Sequence, residues 1–257
     1  MFDKHFEAVL ADCAESKRIH YKIRYQVYCI ESGYEDRHAF PDGEEKDEWD
    51  NQSVHFLVRS KESGEWIAAM RLILPGSESG QPVFQLCDID ATITGKTCDS
   101  TAGEISRLCI INPFRRKLSP CSPGKNQVLL RQHEPSNLPH MRERCKEPLI
   151  LLGLFRAAAE YSRNHNIPYW YFLTTLALAR MLKRMNIHLI KAGSSWSHNG
   201  ERHPFLIDLR DAVERARNGS RVIDQMLYNQ SAYLRYSELY NQANQANKSR
   251  YRHAHAA

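Results

Sequence analysis

The sequence predicts one α/β (α+β) domain built on a mixed central sheet flanked by helices. Three observations carry that prediction. Apolar residues fall into strand-like runs and helix-like stripes in the order helices, hairpin, strand, helix, strand, helix, strand pair, so early strands pair antiparallel and later ones are crossed over by helices. The 257 residues are 42% hydrophobic and 25% charged, the composition of a globular chain able to bury a large core. Neither G-x-G-x-x-G nor G-x-x-x-x-G-K-[ST] occurs, which argues against dinucleotide-binding and P-loop enzymes.

The elements follow in order. Residues 3–18 predict a helix with Phe6, Val9, Leu10 and Cys13 on one stripe. IHYKIRYQVYCIE (19–31) predicts a second, with Ile23, Val27 and Ile30 at i, i+4 and i+7. A loop from Ser32 to Asn51 is rich in Gly, Asp and Glu. VHFLVRS and EWIAAMRLIL read as strands joined by the turn-forming KESG. QPVFQL reads as a weak strand or turn, and residues 88–102 as polar loop. GEISRLCII (103–111) is a strand, followed by a long proline-containing connection over 112–147. KEPLILLGLFRAAAEYSRNHN is a helix with Pro148 near its start, and IPYWYFLTT a strand led by Pro168. LALARMLKRMN is a further helix, and residues 187–209 finish as two strands around a polar turn. The expected division is a main domain over 1–215 and a polar helical extension and tail over 216–257.

A mean hydropathy of −0.57 and the lack of a long uncharged apolar run argue against a membrane span. The N-terminal MFDKHFEAVLADCAESKR has no apolar signal region, and the seven cysteines form no CxxC pair. The expectation is a cytoplasmic protein with reduced thiols, without a disulfide framework or zinc site. Charge is unevenly placed: residues 31–50 hold nine acids against two bases, whereas Arg115, Arg116, Lys117 and Lys125 have no acid between them. Such separation suits a polar or cationic group handled at one place and an anionic partner at another, although charge runs are more often plain solvated surface.

GEISRLCII poses the central question. A buried strand should be apolar, yet Glu104 and Arg107 stand near its start. Four segments join them: IRYQVYCIESGY with Arg24, Tyr28 and Tyr34; EKDEWD with Asp47 and Asp50; AAMRLILP with Arg71; and GEISRL itself. An Arg-x-x-x-aromatic segment, a second aromatic, an Asp-x-x-Asp pair, an Arg-Leu strand ending in Pro and a Glu-x-x-Arg strand thus occur in order. In this the chain resembles the acyl-homoserine-lactone synthases and the N-acyl amino acid synthases, nearest to the acyltransferases of PEP-CTERM/exosortase systems. The likeness covers residues 20–110 by motif and extends to about residue 210 by element order. Two departures stand out: Tyr28 and Tyr34 replace the Phe and Trp typical of the lactone synthases, and the 112–147 connection is long.

The resemblance implies a GNAT-type fold over 1–215 and transfer of a medium- or long-chain fatty acyl group from an acyl carrier protein thioester, or from acyl-coenzyme A, to the amine of an amino acid or related small molecule. No permanently bound cofactor is implied. Glu104 would accept the amine's proton, since an α-amine with a pKa near 8 must be neutral to attack. Its structural alternative is an ion pair with Arg107 or Arg71. The family's central strand carries a bulge, which would turn Glu104 and Arg107 to one side and free a backbone N–H for the thioester oxygen, worth about 2.7–4 kcal/mol at other acyl-transfer sites. Asp47 and Asp50 either bind an ammonium or hold Arg24 and Arg71. Those two arginines either fork a substrate carboxylate or form a structural cluster with Asp50. Glu44, Glu45 and Glu48 read as solvated loop. Tyr28, Tyr34 and Arg107 complete the expected substrate site. Leu108, Ile110 and Thr174 would line the acyl donor's path, and Arg115, Arg116 and Lys117 would meet its phosphate or the acidic carrier. YWYF (169–172) either lines an acyl channel or packs the core. Two rival classes remain: an acetyl-coenzyme A-dependent N-acetyltransferase, and a basic nucleic-acid-binding regulator, which the acidic 31–50 segment disfavours.

Overall fold

In the computed structural model, residues 2–76, 80–95, 97, 101–112, 114, 146–197, 199–212, 214 and 231–241 are described. The first predicted helix is replaced by a short helix α1 (Phe2–His5), a strand β1 (Phe6–Leu10) and the start of helix α2 (Ala14–Arg24). Alternation explains the strand. Phe6, Ala8 and Leu10 enter one core and Val9 the opposite one, so FEAVL is covered on both faces and its apolar stripe only mimics a helical one. Helix α2 begins at Cys13, whose N–H donates to Ser16 Oγ over 3.1 Å. It then runs without a break into a π-helical stretch, Tyr25–Glu31, so the second predicted helix is its continuation.

Strands β2 (Ser53–Ser60) and β3 (Trp66–Ile73) form the expected antiparallel hairpin. QPVFQL is a short helix α3 (Pro82–Leu86) rather than a strand, because Pro82 takes a first-turn position where a missing N–H costs nothing. A helical turn α4 (Ala91–Thr94) precedes β4 (Ala102–Ile110). Helix α5 (Glu147–Asn164), β5 (Tyr169–Thr174) and helix α6 (Leu176–Arg184) come next. The strands β6 (Ile190–Lys191), β7 (Trp196–Ser197) and β8 (Glu201–Asp208) follow. Within the segment expected to be a C-terminal extension, β9 (Leu234–Arg235) pairs in parallel with β1, and Ser237 Oγ donates to Asp12 over 2.6 Å.

Among the described residues the strands run β6-β8-β5-β4-β3-β2-β1-β9, with β7 paired to β8. β4 and β5 are parallel, and the hairpin strands antiparallel, so the sheet is mixed as predicted. Helix α5 covers one face, setting Ile150, Leu154 and Phe155 in the core with Phe56, Met70, Leu72, Ile105 and Phe172. Helix α2 and its π-helical continuation cover part of the other, where Ile23 and Val27 meet Leu57, Ala69 and Cys109.

Two irregularities of β4 shape everything nearby. Its pairing with β5 runs from Ala102–Tyr169 to Ile105–Phe172 and goes no further. On its other edge, Ala69 faces Cys109 and Arg71 faces Ser106, so Arg107 and Leu108 together oppose Met70 alone. That is a β-bulge, and Arg107 sits in it at φ 49°, a left-handed conformation uncommon for a residue with a side chain.

Candidate active site

Strand β4 opens with Ala102-Gly103-Glu104, and close packing demands the glycine. A Cβ at Gly103 would lie 2.9 Å from the Ile73 carbonyl oxygen and from Leu72 Cδ1. Alternation then sends Ile105 into the α5 core, while Ser106, on the opposite face, accepts a hydrogen bond from Arg71 Nε over 3.0 Å. Without the bulge, Arg107 would follow Ile105 into apolar surroundings. With it, Arg107 turns to the α2 face, where Nε reaches Glu45 Oε1 and Nη2 reaches Asp47 Oδ2, each over 3.1 Å. Tyr28, on the π-helical stretch, donates its hydroxyl to the Leu108 carbonyl over 3.1 Å and lays its ring 5.7 Å from the Arg107 guanidinium.

Behind the bulge lies a largely buried network of three guanidiniums and three carboxylates, in which Arg107 and Asp47 are half-buried. Arg24, with no exposed surface, bonds Glu45, and its Nη1 reaches Asp50 Oδ1 over 2.6 Å. Arg71 bonds Asp47, and its Nη1 reaches Asp50 Oδ1 over 2.9 Å. Asp47 also caps the 3₁₀ turn Glu48–Gln52, which places Asp50. His55 Nε2 stands 3.1 Å from Asp50 Oδ1. Burial would raise the Asp50 carboxyl's pKa, but His55, Arg24 and Arg71 together hold it well below the usual carboxylate range. Burial pushes His55 in the opposite sense, below an ordinary imidazole.

Glu45 is the residue that sequence reasoning missed. It is 1% exposed and lies between Arg24 and Arg107. Glu44 is buried too and receives Arg18 Nε over 2.8 Å, whereas Glu48 is exposed as expected. Charge matching could have found Glu45: Arg24, Arg71 and Arg107 lie in or beside apolar stretches, and Asp47 and Asp50 supply only two of the acids that these three cations need.

Glu104 is buried as deeply, at 2% exposure, yet is differently treated. Its Oε2 accepts the Val83 N–H of helix α3 over 3.0 Å. Burial raises its pKa to about 7, opposed by that hydrogen bond and by the fields of Arg71 and Arg107.

A cleft of about 490 Å³ opens beside Glu104. Its lining includes Tyr28, Arg71 and Arg107 from the polar face, and Ile105, Leu151 and Phe172 from the α5 side. A cleft drawing on both faces must pass through the sheet, and it does so where β4 and β5 cease to pair. Leu108, Ile110 and Thr174 line it, and Tyr34, 41% exposed, stands at its mouth. Of the YWYF run, Phe172 lines the cleft, while Trp170 and Tyr171 are buried in the core. Arg24 and Asp50 are absent from the lining and serve the network behind it. Arg115, Arg116 and Lys117 lie outside the described residues.

Residues 23–121 match the family profile described as "Acetyltransferase (GNAT) domain", so this part of the chain carries a GNAT-type domain and the protein is an acyltransferase. Solved structures with the same fold include the acyl-homoserine lactone synthase BjaI with MTA, described as CoA-dependent, at 16% identity, TM-score 0.58 and coverage of 90% of this chain and 93% of that one. TofI in a ternary complex with an inhibitor and MTA is 16% identical, with TM-score 0.54 and coverage of 84% and 99%. FeeM, an N-acyl amino acid synthase from uncultured soil microbes, is 11% identical, with TM-score 0.53 and coverage of 84% and 98%. No curated protein matches the sequence significantly.

Proposed function

We propose that this chain is an N-acyltransferase that moves a medium- or long-chain fatty acyl group from a phosphopantetheine thioester to the amine of an amino acid or related small molecule. One observation carries the reading: Glu104, buried, with its pKa raised to about 7, lies beside a cleft that passes through the sheet between parting strands. An α-amine has a pKa near 8, so the proton it must lose differs from Glu104 by about one unit, a step of roughly 1.4 kcal/mol. The Val83 N–H holds one carboxylate oxygen, leaving the other for the amine or for one intervening water. Attack forms the C–N bond and places negative charge on the thioester oxygen, which the bulged backbone at Arg107–Leu108 is suited to receive. Collapse breaks the C–S bond; the proton held by Glu104 passes to the departing thiolate, and the second proton, which the nitrogen sheds as the amide forms, goes to solvent.

The apolar side of the cleft, with Ile105, Leu151 and Phe172, favours a long acyl chain over an acetyl group. As donor we propose an acyl carrier protein, with acyl-coenzyme A as the second reading. The cations Arg115, Arg116 and Lys117, five to seven positions past the end of β4 in the sequence, support the carrier, whose surface is acidic. The BjaI structures, of an enzyme described as CoA-dependent, favour the second. A cytoplasmic setting and a place beside a PEP-CTERM/exosortase system are proposed from the sequence resemblance. No helix among the described residues is long and apolar enough to cross a membrane. Mass spectrometry of organic extracts from cells expressing the chain, against a Glu104→Gln control, tests the function. N-acylated amines present only with the intact chain are expected, and identical extracts would refute it.

A further inference from the structure

Arginines in and around the cleft divide into two kinds. Arg24, Arg71 and Arg107 are matched by Glu45, Asp47 and Asp50 and have little charge left for a ligand. Arg202 differs. It lines the cleft from β8, and among the described residues it forms no ion pair or hydrogen bond with an acid; its guanidinium lies 5.9 Å from the Tyr34 ring. Strand parity puts it on the reacting face. Thr174 opposes His203 and Leu173 opposes Pro204, so Arg202 shares the side of Pro204, Leu206 and their neighbour Tyr171, which pairs with Glu104. Two contacts hold it there. Arg202 pairs with Trp196 of β7, and Asn199 at the tip of that hairpin donates its Nδ2 to the Tyr34 carbonyl over 3.1 Å. An unmatched guanidinium, held against an aromatic ring at the mouth of a cleft whose other cations are neutralised, is a receptor for a planar anion.

Resting on the acyltransferase reading above, we propose that Arg202 is a specificity residue that binds the α-carboxylate of the acceptor, so the acceptor is a free amino acid rather than a simple amine. An amino acid can offer its amine to Glu104 and its carboxylate to Arg202. A decarboxylated or amidated acceptor forfeits the second contact. The donor phosphate is the other anion that could reach this position, and the test separates the two.

Binding of free amino acids and of their carboxamides to the full chain is measured by calorimetry, for the intact chain and for Arg202→Met and Arg202→Lys. Acyl transfer from acyl carrier protein and acyl-coenzyme A thioesters is followed in parallel. The free acid should bind the intact chain roughly 10- to 100-fold more tightly than its amide, the usual range for one charge-assisted contact. Arg202→Met should erase that preference by weakening the acid alone, leave donor KM within about twofold, and be partly rescued by Arg202→Lys. Equal binding of acid and amide to the intact chain overturns the assignment. So does a Met variant that weakens acid and amide alike, or that raises KM for the donor instead. Failure of every amine to accept an acyl group refutes the acyltransferase reading, while the binding comparison still decides what Arg202 recognises.

Discussion

Two buried regions on the same face of the sheet treat their carboxylates in opposite ways. Asp50 and Glu104 are 3% and 2% exposed, so desolvation opposes ionisation of both. Asp50 faces two guanidiniums and a histidine at hydrogen-bond distance, and its pKa falls well below the ordinary range. Among the described residues Glu104 has a single backbone N–H, and its pKa rises to about 7. Burial alone therefore does not make a base; burial without a directly bonded cation does. The network holds Arg71 and Arg107 on Asp47, Asp50 and Glu45, which keeps their donors off Glu104 and leaves it only their longer-range fields.

The contrast can be broken at either end, and the largest effect is expected at Glu104. Glu104→Gln should lower kcat roughly 10²- to 10⁴-fold while the protein stays folded, with part of the loss recovered at high pH where more amine is already neutral. Steady-state kinetics and thermal melting on one variant check both halves. A variant that melts early but keeps kcat when folded would assign the base elsewhere.

At the other end, Asp50→Ala leaves Arg24 and Arg71 buried with an acid missing, and should destabilise the fold by roughly 3–5 kcal/mol. Denaturant unfolding measures that loss, and Glu45→Ala should share it through Arg24 and Arg107.

The two regions should also answer oppositely to pH. Glu104 must be ionised to act, so kcat/KM should fall about tenfold per unit as pH drops below about 7. Its raised pKa also means that ionisation opposes folding: this contribution is absent below the unfolded value of 4.5 and is complete above about 7. Glu104→Gln removes it, so melting temperatures of variant and intact protein should diverge in the variant's favour between pH 5 and 8. Asp50 acts in the reverse sense, contributing stability above the unfolded carboxylate range and losing it only in strong acid.

The smallest effect expected is at the donor side. Reversing charge at Arg115 and Arg116 should raise KM for an acyl carrier protein donor and weaken its salt dependence, with little change for acyl-coenzyme A. A salt titration of KM with each donor sharpens which thioester the enzyme takes.

Much of this was legible in the residues themselves. The hairpin of VHFLVRS and WIAAMRLI, the helix after Pro148 and the strand after Pro168 follow from periodicity and from prolines at element starts, which are local properties. Glu104 and Arg107 stood out because charges inside a strand with this apolar run need a reason. Tertiary structure decided the rest, because the physics there is not local. FEAVL carries a stripe that suits a helix, and only sheet neighbours on both sides make it a strand. QPVFQL became a helix whose Val83 N–H serves Glu104, a partner distant in the chain. Glu45 looked like one acid among nine in a solvated loop, and its role came from two arginines brought to it by α2 and by the β4 bulge. The residue types were set by the chain, but whether each carboxylate became a counter-ion or a base depended on which guanidinium the fold placed within hydrogen-bond reach.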